Sequence, residues 1–358
     1  MNTSSRGKYA AILFSLAALL PVSLHAGTYR AIVAFGDSLT DTGNKYVATG
    51  LANTPPYDLL DAFRVPDGPY TRGGLHHSNG ATWIEQLSRP LGLADSVRPA
   101  LRTPGEATNY AYGGARARSG SPEPELVAQG CLEQNTNRHF PEQVSTFLAD
   151  VNYSAPADAL YVVFIGGNDI VDAVKTLPCD PTGLTSVQVI VGGALNALNE
   201  NIITLYLAGA RNFLVVNSPD LGLAPAFNPP LNIPQAAGYA TCFSLLYNFG
   251  TLPGSPVPSA CGFPPGIPGL VDVVAGLQSS PMLPGIGITA MDVYSRFVQL
   301  VTAPLDSDPQ NGTDTCVMPN QPPYACKDPD NHVFWDGVHP TKETHSIIRA
   351  VAEAALAE

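Results

Sequence analysis

Short apolar runs rich in β-branched residues alternate along the chain with stretches of helical apolar spacing. That pattern predicts a parallel sheet linked by crossover helices. The run at 30–35 (RAIVAF) ends in Gly36-Asp37-Ser38. The clearest run, 160–165 (LYVVFI), holds no charge and no breaker and ends in Gly166-Gly167-Asn168-Asp169. Residues 108–112 (TNYAY) predict a short strand ending at Gly113-Gly114, and 213–216 and 288–294 predict two more. Helical spacing covers 81–91, 141–151, 186–208, 235–249 and about 341–356. The 186–208 segment is the most regular, with Val187, Val191, Ala194, Leu198, Ile202 and Leu205 at three- and four-residue steps. Residues 45–80 read as loop, and so do residues 251–287, which carry eight prolines and seven glycines. With no internal repeat and no boundary between two cores, a single α/β domain over 27–358 is expected.

The first 26 residues stand apart from that domain. Arg6 and Lys8 precede an apolar run from Ala10 to Leu20, followed by Pro21 and a small-residue end at Ala26. This order predicts a signal peptide cleaved near Ala26 and a secreted or periplasmic product. The rival, a membrane anchor, requires a longer run than the one Pro21 interrupts. The six cysteines, Cys131, Cys179, Cys242, Cys261, Cys316 and Cys326, form an even set, as an oxidising compartment leads one to expect. Their connectivity is open; chain proximity favours Cys316–Cys326 and Cys242–Cys261, which leaves Cys131–Cys179. Ligand spacing for zinc is missing, so neither a metal nor another cofactor is expected.

Charge narrows the partners. The chain has 18 Lys+Arg against 30 Asp+Glu, a formal charge of −12, and no basic cluster. A nucleic-acid partner has no electrostatic footprint here, and contact with anionic lipid surfaces is expected to be transient at most. Oligomeric state is left open.

In a parallel sheet, loops at the carboxyl ends of the strands converge on one edge. Three of those ends carry small polar residues, and Ser38 is the candidate nucleophile among them. A serine hydroxyl attacks only when a base takes its proton. The competing reading is that Asp37 or Ser38 caps a turn; the GxSxG elbow is absent. Among the seven histidines, His25 leaves with the signal peptide and His76 and His77 sit in a polar loop. His139, His332 and His345 lack a carboxylate in a strand-end context. His339 has one, Asp336, three residues before it, although both residues are also suited to capping the last helix. The order Ser…Asp…His is compatible with a triad. The N–H groups of Ser38 and Gly114 and the side-chain amide of Asn168 are the candidate oxyanion donors. Asn168 also suits a plain turn, and Asp169 is assigned to holding its loop.

Four blocks, FGDSLTDTGN at 35–44, NYAYGGARA at 109–117, GGND at 166–169 and DGVH at 336–339, together resemble the GDSL, or SGNH, hydrolases. The resemblance implies a three-layer α/β/α sandwich with about five parallel strands. It also implies Ser38, Asp336 and His339 as catalytic residues and Gly114 and Asn168 as oxyanion donors, with Gly113 an alternative to Gly114. Within the family the chain is similar to secreted bacterial esterases, including the passenger part of esterase autotransporters. It ends at Glu358 with no β-barrel segment, so attachment through such a barrel is not expected. Loops 251–287 and 316–326 are expected to shape the acyl or alcohol pocket.

The function that follows is hydrolysis of small-molecule or lipid carboxylic esters through an acyl-enzyme on Ser38. Alternatives are a phospholipase A or lysophospholipase, with transfer of the acyl group to an alcohol, and a polysaccharide O-acetyl esterase. A binding protein that keeps the fold without turnover is the rival outside enzymes; it is disfavoured because every triad and donor position is present.

Overall fold

The computed structural model describes residues 29–58, 60, 65–119, 124–132, 137–180, 182–183, 186–228, 233 and 235–358; the predicted signal peptide lies outside them. Its strands are β1 (Ile32–Gly36), β2 (Leu160–Phe164), β3 (Asn212–Val216), β4 (Gly287–Met291), β5 (Asn311–Thr315) and β6 (His332–Phe334). Its helices are α1 (Asn44–Thr49), α2 (Trp83–Ser88), α3 (Pro124–Ala128), α4 (Phe140–Asp150), α5 (Gly167–Thr176), α6 (Gly192–Ala208), α7 (Ala236–Phe249), α8 (Leu270–Ser279), α9 (Val293–Thr302) and α10 (Lys342–Ala355).

Strands β1 to β4 form a parallel sheet in that order. Every residue of β1 and β2 is buried, as expected where helices cover both faces of a parallel sheet. The period of two divides the sheet between two cores. Val33, Phe35, Tyr161, Val163, Phe213 and Val215 pack on one face with residues of α4, α6 and α7. Ile32, Ala34, Leu160, Val162, Phe164, Leu214 and Val216 pack on the other with α2 and α10. The result is a three-layer α/β/α sandwich.

The expected fifth strand, 108–112, lies along β1 without becoming a regular strand. Ala34 N–H donates to Thr108 O at 2.9 Å, Tyr110 N–H to Ala34 O at 2.7 Å and Tyr112 N–H to Gly36 O at 3.0 Å. On its far side Asn109 bridges Pro99 through Ala100 N–H to Asn109 O at 2.9 Å and Asn109 N–H to Arg98 O at 3.4 Å. The register pairs Gly36 with Phe164, Phe164 with Val216 and Val216 with Met291. All four strands therefore end at one level, and their following loops share one edge.

Three segments differ from the pattern reading. The 186–208 helix is a π-helical turn over Ser186–Val191 followed by α6. Within 251–287, Leu270, Val274 and Leu277 bury one face of α8, a period that the surrounding prolines and glycines mask. The strand expected over 288–294 stops at Met291, because the Asp292 side chain accepts from Ser295 N–H and starts α9. The disulfides are Cys131–Cys179, Cys242–Cys261 and Cys316–Cys326, the pairing that chain proximity favours. No helix among the described residues is long and apolar enough to cross a membrane.

The α2–α10 layer is joined by a buried histidine. Trp83 N–H, at the start of α2, donates to His345 Nδ1 on α10 at 3.2 Å. Burial pushes the His345 imidazole down to about 3, with the charges of His76 and His339 adding to the effect and Glu85 opposing it. The imidazole stays neutral in the folded protein and gains a proton on unfolding below its ordinary value. Its contribution to stability is therefore complete above about pH 6.5 and is lost as pH falls toward 3. His345→Asn keeps an acceptor for Trp83 and removes the titration. Urea unfolding at pH 7.5 and 4.5 is expected to show the variant losing about 2 kcal/mol less than the parent across that interval; equal losses would contradict the assignment.

Candidate active site

The loop after β1 is a tight turn in which Thr40 and Asp41 N–H donate to Asp37 O at 3.1 and 2.9 Å. Leu39 N–H donates to Asp37 Oδ1 at 3.0 Å. Ser38 N–H has no acceptor among the described residues, and Ser38 lines a cavity of about 260 Å³. Gly36 permits this turn: a Cβ there would lie 2.6 Å from Phe164 O on the neighbouring strand. Asp37 is buried, and that desolvation pushes its carboxyl up to about 7 against the pull of Leu39 N–H and His339.

His339 arrives from the other end of the chain. Its Nε2 lies 2.8 Å from Ser38 Oγ, and its Nδ1 lies 2.8 Å from Asp336 Oδ2 and 3.0 Å from Oδ1. Asp336 is fully buried, so its carboxylate requires further donors. Val338 N–H and His339 N–H donate to Oδ1 at 3.0 and 2.8 Å, and Tyr70 Oη donates to Oδ2 at 2.8 Å. Tyr70 is held edge-on between Tyr57 and Trp335, with ring centroids 5.5 and 5.7 Å away. Behind the loop, Cys316 N–H donates to Phe334 O and Val317 N–H to Trp335 O. The 316–326 disulfide thus braces the backbone that carries Asp336. Contrary to the expectation from sequence, none of the cavity-lining residues among the described residues comes from 251–287 or 316–326.

The two glycines after the 108–112 segment have different surroundings. Gly113 N–H donates to Asp41 Oδ2 at 2.9 Å, which commits that amide elsewhere. Gly114 has φ +79°, a conformation glycine adopts without strain, and it lines the cavity with Ser38, Asn168 and His339. Asp41 also accepts from Gly43, Asn44 and Lys45 N–H at 2.8, 2.6 and 3.0 Å. Asn44 Nδ2 donates to Asn109 O and Ala111 O, each at 2.8 Å. These two side chains fasten the serine loop to the diglycine loop.

Asn168 Nδ2 donates to Ala115 O at 2.8 Å; a primary amide has a second N–H to offer. Asp169 accepts from Ala117 N–H at 2.7 Å and faces Arg118 Nε at 3.2 Å. Arg116 and Arg118 both pair with Asp172. This buried four-charge cluster joins the diglycine loop to the start of α5. Burial pushes the Asp169 carboxyl up to about 6, with the Arg118 guanidinium opposing it.

The structure therefore brings together Ser38, Asp336, His339, Gly114 and Asn168. The sequence pattern does not single out Tyr70, Asp41, Asn44 or His77. Asp41 and Asn44 lie inside the 35–44 block, whereas Tyr70 and His77 sit in a stretch without periodicity. Among the described residues no group of three or more His, Cys, Asp or Glu could hold a metal ion. The cavity walls are largely apolar, including Val65, Val171, Leu221, Phe227, Phe297 and Val338, while Lys45, Asp67, Asn137, Lys175 and Asp220 add polar positions.

A family profile described as GDSL-like lipase/acylhydrolase matches residues 32–262. A GDSL esterase/lipase of Arabidopsis thaliana is 27% identical over 348 residues, covering 93% of each chain. A second from the same plant is 25% identical over 350 residues, covering 89% of this chain and 86% of that one. Lipase 1 of Photorhabdus luminescens is 27% identical over 201 residues, 56% of this chain and 24% of its own. The profile match spans Ser38, Gly114 and Asn168 and well over half of the sequence, and the chain belongs to the GDSL-like lipase/acylhydrolase family.

Proposed function

We propose that the protein is an exported serine esterase/lipase that cleaves carboxylic esters through an acyl-enzyme on Ser38. The observation that carries this reading is the unbroken chain Ser38 Oγ–His339 Nε2, His339 Nδ1–Asp336, with both links at 2.8 Å, opening on an apolar-walled cavity. His339 Nε2 takes the hydroxyl proton as Ser38 Oγ bonds to the ester carbon. The carbonyl oxygen becomes an oxyanion, for which Ser38 N–H, Gly114 N–H and the second Asn168 N–H are the donors. His339 then gives the proton to the departing alcohol oxygen. Water repeats the sequence on the acyl-enzyme and frees the acid and Ser38. Asp336 holds the imidazole with its proton on Nδ1 and stabilises the imidazolium that forms; Tyr70 and two backbone amides keep that carboxylate in place.

The apolar wall favours acyl chains longer than acetyl, which sets polysaccharide deacetylation behind lipid and alkyl esters. Phospholipid hydrolysis is the second reading, supported by Lys45 and Lys175 among the lining residues, although Asp67 and Asp220 there partly offset their charge. Export rests on the 1–26 pattern and on three disulfides, which persist in oxidising compartments.

Ser38→Ala is expected to lower kcat for nitrophenyl esters by at least about 10⁴-fold while leaving the fold intact; wild-type turnover in that variant would end the reading. Across nitrophenyl esters of increasing length, kcat/KM is expected to rise from acetyl toward about octanoyl as methylenes are buried; a maximum at acetyl would restore the polysaccharide alternative. Tyr70→Phe removes one donor from Asp336 and keeps the ring packing. About a tenfold fall in kcat with KM nearly unchanged is expected, and unaltered kcat would show that Tyr70 does not support the carboxylate.

A further inference from the structure

His77 has no part in the mechanism above, yet it packs against His339 and the diglycine loop. It is 4% exposed and lines the same cavity as Ser38 and His339. Its ring centroid is 5.1 Å from that of His339, with the planes tilted by 41°. On its other side it rests on the diglycine loop: a Cβ at Gly113 would fall 2.4 Å from His77 Cε1. A packing role alone does not explain an imidazole here, because phenylalanine or leucine fills such a space without a buried polar atom.

The state of the ring follows from its surroundings. Burial pushes His77 well below the ordinary histidine value, and the charges of His339, Lys45 and His76 push it further the same way. The ring is therefore neutral, with one N–H and one lone pair. Nδ1 is buried without a hydrogen-bond partner among the described residues. A buried N–H left unpaired is the more costly orphan than a bare lone pair. The proton accordingly belongs on Nε2, the nitrogen left for the cavity, which makes His77 a donor beside the base.

We propose that His77 is a substrate-positioning residue whose Nε2–H donates to the oxygen of the alcohol half of the ester. That oxygen must approach His339 Nε2 to receive its proton, so it enters the space between the two imidazoles. At a centroid separation of 5.1 Å, one oxygen lies within reach of both rings at hydrogen-bond lengths of about 3 Å. The donor matters most when the departing oxygen carries developing charge that it cannot delocalise. An alkoxide is such a group; a nitrophenoxide disperses its charge into the ring. During deacylation the oxygen of the attacking water or alcohol occupies the same place. His77 keeps its own proton throughout. The inference rests on the acyl-enzyme reading of Ser38.

The test compares ethyl butyrate with nitrophenyl butyrate on the parent, His77→Phe, His77→Ala, His77→Gln and Ser38→Ala. In His77→Phe and His77→Ala, kcat/KM for the ethyl ester is expected to fall about 10- to 50-fold, with less than about a threefold change for the nitrophenyl ester. His77→Gln, which restores a donor, is expected to recover much of the ethyl-ester rate. The readout is the ratio of the two substrates within each variant, so partial loss of folded protein cancels. An equal fall on both esters, or none on the ethyl ester, would overturn the role of His77. If Ser38→Ala abolishes both activities while the His77 ratio does not move, only the positioning role fails. Turnover in Ser38→Ala would instead remove the reading beneath it.

Discussion

The hydrogen bond between Ser38 and His339 spans 301 positions of sequence, and the rest of the structure serves to hold its two ends at 2.8 Å. Neither partner sits on a strand or inside a helix. Each occupies a tight loop at the same edge of the sheet, and each loop is fixed by buried carboxylates that accept backbone N–H groups. Asp37 and Asp41 order the serine loop, and Asp336 orders the histidine loop. Each carboxyl group accepts from N–H groups two to four residues further on, so it cross-links the backbone of its own loop. This is how residues outside regular elements come to hold a fixed distance.

The sheet contributes register. Because β1 to β4 are parallel and in step, the turns after β1 and β2 leave at one level, and the 108–112 segment brings Gly113 and Gly114 to it from outside β1. Asp41, Asn44 and the Arg116–Arg118–Asp169–Asp172 cluster then join these loops to one another instead of to the sheet. The groups proposed to surround the reacting carbonyl therefore form one connected unit. Hydrogen-bond donors arranged before the reaction need no reorganisation during it.

Much of this was legible in the chain. The uncharged run before Gly166 and the one before Gly36 carry the strand period, and Ser38, Asp336 and His339 are the residues whose chemistry and context agree. What escaped notice has a physical reason in each case. Leu270, Val274 and Leu277 have helical spacing, but prolines and glycines around them dominate the local composition. Ile288 to Tyr294 looks like one apolar segment until Asp292 is recognised as a cap that divides strand from helix. Tyr70 and His77 lie in a stretch whose order comes from tertiary contacts with Asp336, His339 and Gly113, and no local period signals such contacts. The 316–326 loop is near Asp336 and His339 in sequence yet supports them from behind, a distinction that spacing alone does not convey.

The same buried groups that order the site set opposing demands on its stability. Asp37 and Asp169 are pushed up to about 7 and about 6 by desolvation. The folded protein holds their protons at pH values where the unfolded chain has released them, so these two groups favour the folded state in acid and lose that contribution as pH rises through 4 to 7. His345 and His77 are pushed down by burial, so they favour the folded state above about pH 6.5 and lose their contribution as pH falls. The two sets act in overlapping windows with opposite sign, and their sum varies less with pH than either alone. Carboxyl groups that fasten the loops, a neutral His77 that lines the cavity and a neutral His345 in the α2–α10 layer thereby keep folding from depending on one narrow pH range. The disulfides, which do not titrate, stabilise the loops at 131–179 and 242–261 and the brace behind Asp336 independently of that balance.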